Sequence, residues 1–311
     1  MLYYFGMFCL FCFFPVLFIT GDSTKIQEST DIYLGLRDST HADSGLTSIH
    51  SLPVVDSSSF VPSKASPPAS FPITAFHVGE KLTFKIRYGF IKAGEAVMWV
   101  KDTLKMNGVP VYHLQTTARS VPAFDWIFKV RDEVNSFVTV SGFYSLRFEK
   151  KLREGGYKVD LIVDYLHEDS LAHVRFFRYD RDDKNQDFKV KIPPYINDIL
   201  SSFYYVRTQP LKVGRSLFIK NHEKEKVYDL RVHVYKKEIL EVDAGTFRCL
   251  VVEPLLKGEG IFKQKGRLKI WLTDDSYKIP VQMTSEVAVG HITTELIRME
   301  GVPDPIPARL E

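Results

Sequence analysis

Between Ile192 and Gln209 the chain reads I-P-P-Y-I-N-D-I-L-S-S-F-Y-Y-V-R-T-Q, the clearest helical pattern in a sequence that otherwise alternates apolar and polar residues. Ile196, Ile199, Leu200, Phe203, Tyr204 and Val206 follow the spacing that gives a helix one apolar stripe. Pro193 and Pro194 suit a helix's first turn, and Pro210 stops the run. Such a helix is stable only if a sheet covers its stripe. Strand-forming sequence lies on both sides of it.

The strand pattern is regular. In Glu80–Tyr88, Leu82, Phe84, Ile86 and Tyr88 alternate with Lys81, Thr83, Lys85 and Arg87, as in a half-buried strand. Further strands are expected at Glu95–Lys101, Val109–Ala118, Glu133–Val140, Tyr144–Leu152, Tyr157–Tyr165 and His173–Tyr179. After the helix come Ser216–Asn221, Val227–Tyr235, Thr246–Leu255, Arg267–Leu272, Pro280–Val287 and His291–Arg298. Asn107-Gly108 is a hairpin-turn pair, and Asp180–Asp187 reads as a charged loop. Val121–Lys129 breaks the alternation and predicts one or two helical turns with Pro122 near the start. The expected fold is all-β and mainly antiparallel: a large barrel-like or strongly wrapped sheet with one central helix and a short helical insertion. Val78-Gly79-Glu80-Lys81-Leu82 and Val213-Gly214-Arg215-Ser216-Leu217 open the two halves alike, although no known repeat period fits them.

Outside this domain, Met1–Thr20 is nearly continuous apolar sequence without a basic start. It is long for the core of an export signal and barely long enough to span a bilayer. Residues 1–21 are therefore a signal peptide or an N-terminal membrane anchor. Residues 22–72 form a Ser/Pro-rich stretch that buries too little apolar surface to order itself, a disordered linker serving as a tether or as a leader without a role. The β-rich domain spans 73–300, and 301–311 is a C-terminal tail. If the first segment is removed, Cys249 is the one remaining cysteine, so no intrachain disulfide staples the fold. A net charge of +3 with both signs interspersed excludes a dedicated nucleic-acid binder.

No catalytic signature stands out. Asp180, Asp182, Asp183 and Asp187 lack the glycine and closing glutamate of a calcium loop and read as a solvated turn. Asp274-Asp275 is either an acid/base pair or a plain β-turn. The histidines are scattered, so no zinc set and no other metal ligand is assigned. Cys249 sits in an apolar strand and reads as a buried thiol. No cofactor is implied, because no phosphate-cradling or dinucleotide loop is present. One cluster rises above this background. Arg119, Phe124, Asp125, Trp126 and Arg131 surround the helical insertion, and Tyr204 and Arg207 lie on the central helix. Gathered over one sheet surface, they would line a cleft suited to a lipid or other amphipathic ligand. The alternative is a helical plug with arginine–carboxylate pairs satisfying each other at its rim.

The segments at 79–96, 112–120, 124–132 (F-D-W-I-F-K-V-R-D), 148–157 (F-E-K-K-L-R-E-G-G-Y), 198–208, 253–262 (E-P-L-L-K-G-E-G-I-F) and 270–275 together resemble the bacterial domain of unknown function 3108 family (DUF3108), from about Phe76 to Arg298. The resemblance implies an exported, periplasm-facing, β-rich envelope protein and transfers no catalytic residue. Three functions stay open: a carrier of an amphipathic ligand, an assembly partner for another envelope protein, and a hydrolase built on Asp125, Asp132 or Asp274. Membrane contact is expected only through the N-terminal segment.

Overall fold

The structure, a computed structural model, describes residues 66–256, 268–286 and 290–310. The apolar segment, most of the linker and part of the 253–262 segment lie outside the described residues. The first half runs β1 (Lys81–Tyr88), β2 (Ile91–Met106), β3 (Val109–Ser120), helix α1 (Pro122–Phe128), β4 (Arg131–Thr139), β5 (Ser145–Glu154), β6 (Tyr157–Leu166), β7 (Leu171–Arg178) and β8 (Gln186–Lys191). Helix α2 (Ile199–Thr208) follows. The second half is β9 (Ser216–Glu223), β10 (Lys226–Val242), β11 (Gly245–Leu256), β12 (Leu268–Thr273), β13 (Pro280–Glu286) and β14 (His291–Glu300). Among the described residues no helix is long and apolar enough to cross a membrane.

All fourteen strands form one sheet, in the order β8-β7-β6-β5-β4-β3-β2-β1-β14-β13-β12-β11-β10-β9. Two meanders thus meet where β1 pairs with β14. The register carries the apolar alternation across strands. Leu82 faces Met98, Met98 faces Thr116, Thr116 faces Val134, Val134 faces Lys150, and Lys150 faces Leu161, all on the inner surface. The two meanders also open on the same turn. Gly79 N–H donates to Val100 O and Gly214 N–H to Val234 O, each at 2.8 Å. Val100 N–H and Val234 N–H return bonds to Glu80 O and Arg215 O. Both glycines hold positive φ, the reason that residue recurs there.

The sheet wraps strongly but does not close by strand pairing. The end of β9 meets the inner side chains of the opposite arm. Lys150 pairs with Glu223 at 2.8 Å, His222 Nδ1 lies 3.4 Å from the Tyr165 hydroxyl, and Lys224 Nζ sits 4.3 Å above the Phe176 ring. The chain before α2 fills the seam. Ser145 N–H donates to Ile196 O and His222 N–H to Asn197 O, so two consecutive carbonyls bridge β5 and β9. That use of the backbone explains why the helix starts at Ile199, later than the prolines suggest. Pro193 and Pro194 lie outside it, and Tyr195 takes a positive φ.

Both ends of α2 are clamped by buried charge. Asp198 is the N-cap, accepting from Ser201 N–H at 2.8 Å while Ser136 and Ser145 hydroxyls donate to its other oxygen at 2.5 and 2.6 Å. Burial pushes this carboxyl up, and those hydrogen bonds oppose the rise. At the other end Arg207, with no exposed side-chain surface, forks onto Glu80 at 2.6 and 2.8 Å. Its remaining donors reach Tyr277 O and Ala75 O, and Phe76 and Tyr204 rings flank it. Tyr204 and Arg207 are therefore plug residues.

Two sequence expectations change. Gln186–Lys191, which the charged-loop reading partly covered, is the edge strand β8. Only Phe188 and Val190 are half-buried in it, so it carries no strong apolar signal. Its exposed lysines suit an edge that must not recruit another strand. Residues 301–310 are docked, since Arg248 N–H donates to Ala308 O and Leu310 N–H to Thr246 O. Asp275 caps the neighbouring turn through Tyr277 and Lys278 N–H and also accepts from Ala308 N–H, the plain-turn reading of that pair.

Breaking one partner of a buried pair leaves the other uncompensated. Arg207→Met and Glu80→Gln should each lower unfolding free energy by about 3–5 kcal/mol in urea melts. The double variant Glu80→Leu/Arg207→Met should recover part of that loss. Burial lowers the His222 imidazole from 6.5 to about 4. Between those values the unfolded chain binds more protons, so stability is full above about pH 6.5 and declines as pH falls through about 4, by roughly 3 kcal/mol. Urea melts from pH 7 to 4 should follow that slope, and His222→Gln should flatten it.

Candidate functional site

The wrap has two unlike ends. Helix α2 occupies the end where β1 begins, beside Glu80. The other end carries the β1–β2 turn at Gly89-Phe90, α1, and the β5–β6 turn at Gly155-Gly156. With β1 eight residues long, the two ends lie about 25 Å apart at ~3.3 Å per residue. The seven candidate residues therefore do not share one cleft. Tyr204 and Arg207 belong to the plugged end, and Arg119, Phe124, Asp125, Trp126 and Arg131 surround α1.

Helix α1 is short, begins on Pro122 and has no side-chain cap. It holds its place through a clasp. Arg131 forks onto Asp125 at 2.6 and 3.1 Å and also donates to Val130 O at 2.6 Å and Ser120 Oγ at 3.1 Å. Ser120 Oγ donates to Asp125 as well, and accepts from Val130 N–H at 2.8 Å. These contacts, the Arg131 fork foremost, hold the Asp125 carboxyl below the usual carboxylate range. The clasp buries Phe124 and turns Trp126 outward, 83% exposed. Gly155 sits against the Phe128 ring, where a Cβ would lie 3.0 Å from it. Arg119 is exposed on β3, facing Glu95 on one side and Arg131 on the other.

Inside this end the walls carry small side chains: Ala93, Ala96 and Ala118 are buried. At Gly94 a Cβ would come within 2.5 Å of Arg119 O, so the β2 and β3 backbones need that glycine to pack. Ser285 and Thr294 are 2% and 0% exposed here, and Thr116, lower in the wrap at the level of Leu82, is 5% exposed; the three hydroxyls have no hydrogen-bond partner among the described residues. Thr116 and Thr294 face the inner residues Met98 and Ile86. A buried hydroxyl left without a partner costs about 1–3 kcal/mol, so such groups normally meet water or a ligand. The sequence reading missed all three. Their one signal is a polar residue at a position where the alternation calls for an apolar one.

Other candidates carry less. A cavity of about 350 Å³ lies against β5–β8, lined by Met106, Asn107, Leu146, Asp164, Leu166 and His173 among others. Asp164 there is paired with Arg147 and Arg175 and His173 with Asp187, while Lys189 is exposed. The Asp180–Asp187 turn is a set of Arg–Asp forks, Arg178 to Asp180 and Arg181 to Asp183. No group of three metal-ligating side chains gathers among the described residues. Cys249 is fully buried, and burial pushes its thiol up to about 12, far from a nucleophile's range.

Because α1 depends on one clasp, Arg131→Ala should raise amide exchange across residues 122–129 while costing less than about 1 kcal/mol of global stability. Hydrogen-exchange mass spectrometry beside a urea melt reads both.

No curated protein matches the chain. In fold it is similar to a β-barrel-like protein of domain of unknown function DUF1849 from Brucella abortus, at 11% identity and a TM-score of 0.49, covering 74% of this chain and 100% of that one. It is also similar to a protein with a YmcC-like fold from Bacteroides fragilis, at 9% identity and a TM-score of 0.33, covering 75% and 99%. The family model described as protein of unknown function (DUF3108) matches residues 83–297, nearly the whole wrapped sheet, and the chain belongs to that family.

Proposed function

We propose that this is an exported envelope protein that holds a lipid or other amphipathic molecule inside the wrap, at the end away from α2. The observation that carries the reading is the pair of buried, unpartnered hydroxyls of Ser285 and Thr294, with Ala93, Ala96 and Ala118 buried on β2 and β3 beyond β1 and Thr116 deeper in the wrap. Small apolar walls with a few polar groups suit an acyl chain and its head. In this reading Phe124 and Trp126 flank the mouth, Arg119 and Arg131 meet the polar head, and Asp125 orients Arg131. Tyr204 and Arg207 form the closed floor. Export rests on the Met1–Thr20 segment, which suits an export signal or an anchor facing the periplasm. Of the three carboxylates on which a hydrolase could be built, Asp125 is held by Arg131, Asp274 by Lys237, and Asp132 accepts from Arg153 N–H at 2.8 Å.

Solvent extraction of the purified full-length protein followed by mass spectrometry should find on the order of one acyl lipid per chain. Crowding the proposed lipid site with Ala96→Phe/Ala118→Phe should remove most of it, with an overpacking cost of about 1–3 kcal/mol. A wild-type protein that carries no lipid and takes up no fluorescent fatty acid would end the carrier reading.

A further inference from the structure

We propose that the end of the wrap bearing α1 and the β1–β2 turn docks on an anionic lipid bilayer, with Phe90 and Trp126 entering the boundary between headgroups and acyl chains. The inference rests on the reading above in taking lipid as the partner's chemistry, but it concerns the outside of the molecule. Phe90 is 100% exposed and Trp126 83%, the two highest values among the large apolar side chains described. Ile91 and Ile127, at 60% and 51%, extend the same surface. Phe90 occupies a two-residue turn, Gly89-Phe90, where polar or small residues are the rule.

The two tips are neighbours by construction. Gly94 faces Ser120 in the β2–β3 ladder, and Val121 N–H donates to Ala93 O at 3.0 Å, so α1 departs beside the base of the β1–β2 turn. Both are also fixed in place, one by a tight hairpin and the other by the Arg131–Asp125 clasp. A rigid apolar edge with a tryptophan is the composition that settles at a membrane interface. The local charge completes the match. The carboxylates of Glu95 and Asp125 are taken by Lys92 and Arg131. Exposed Arg119 and Lys129 have no carboxylate within ion-pair distance among the described residues, leaving positive charge beside the apolar tips. Anionic headgroups complement that arrangement.

The sequence by itself gives membrane contact only to the N-terminal segment. The described chain enters along the plugged end, with Phe71 against Tyr205 and Ala75 O accepting from Arg207. Docking through Phe90 and Trp126 is thus a second contact, made by the opposite end.

The test uses the full chain and vesicles of phosphatidylcholine with or without phosphatidylglycerol, doped with brominated lipid. Trp126 is one of three tryptophans, so contact with bromine should quench up to about a third of the emission in the anionic vesicles. Trp126→Phe should abolish this quenching even if the N-terminal segment holds the protein to the vesicle. Phe90→Ser should weaken it, and Arg119→Gln/Lys129→Gln should cut it several-fold in anionic vesicles. Quenching that survives Trp126→Phe, equal quenching without phosphatidylglycerol, or no quenching would overturn the proposal. So would a concentration-dependent dimer lost on Trp126→Ser, since that would assign the tips to a second copy. Phe90 has no part in the interior site, so lipid extraction from wild type and vesicle co-sedimentation of Phe90→Ser let interior loading and surface docking fail separately: Phe90→Ser should keep its extracted lipid and lose vesicle binding, and unchanged vesicle binding would overturn the docking.

Discussion

Arg207 and Glu80 form an ion pair with essentially no solvent exposure, 127 residues apart in the chain. A lone buried charge is too costly to leave unmatched, so the pair forces the end of α2 against the start of β1. The same guanidinium gathers the backbone of Ala75 and Tyr277. At the helix's other end Asp198 draws in Ser136 and Ser145 from β4 and β5. One ten-residue helix therefore pins strands that belong to both meanders.

That pinning matters because the sheet has no covalent or strand-paired closure. Its edges, β8 and β9, are not hydrogen-bonded to each other. A sheet of this width curls through its intrinsic twist, yet twist alone does not say where the curl stops. Here the stop is set by the carbonyls of Ile196 and Asn197 and by the Lys150–Glu223 pair, which hold β9 against the far arm. The outermost edge, β8, is left polar and lysine-bearing, a poor template for another strand.

The plug also makes the molecule polar in the sense of having unlike ends. Large side chains and buried charge fill the α2 end: Phe76, Phe143, Tyr204 and Arg207. Toward α1 the inner positions mix Ala96, Ala118, Thr294 and Ser285 with larger residues such as Ile86, Leu152 and Ile292, and the outer ones turn apolar at Phe90 and Trp126.

Much of this was legible in the residues. Period-two alternation located thirteen of the fourteen strands, because a half-buried strand must alternate. The break at Val121–Lys129 located α1, and the apolar stripe located α2. The edge strand β8 was missed because nothing covers it, so its residues had no reason to alternate strongly. Composition alone leaves the candidate cluster open between one cleft and a plug rimmed by arginine–carboxylate pairs. Only the tertiary structure could divide it, since the partner of Arg207 is Glu80, whose own neighbours give no hint of burial. The sequence determined which residues face inward, through a local rule of alternation. How far the sheet curls, which charges pair, and which end stays unplugged depend on contacts between residues distant in the chain, and no local pattern encodes those.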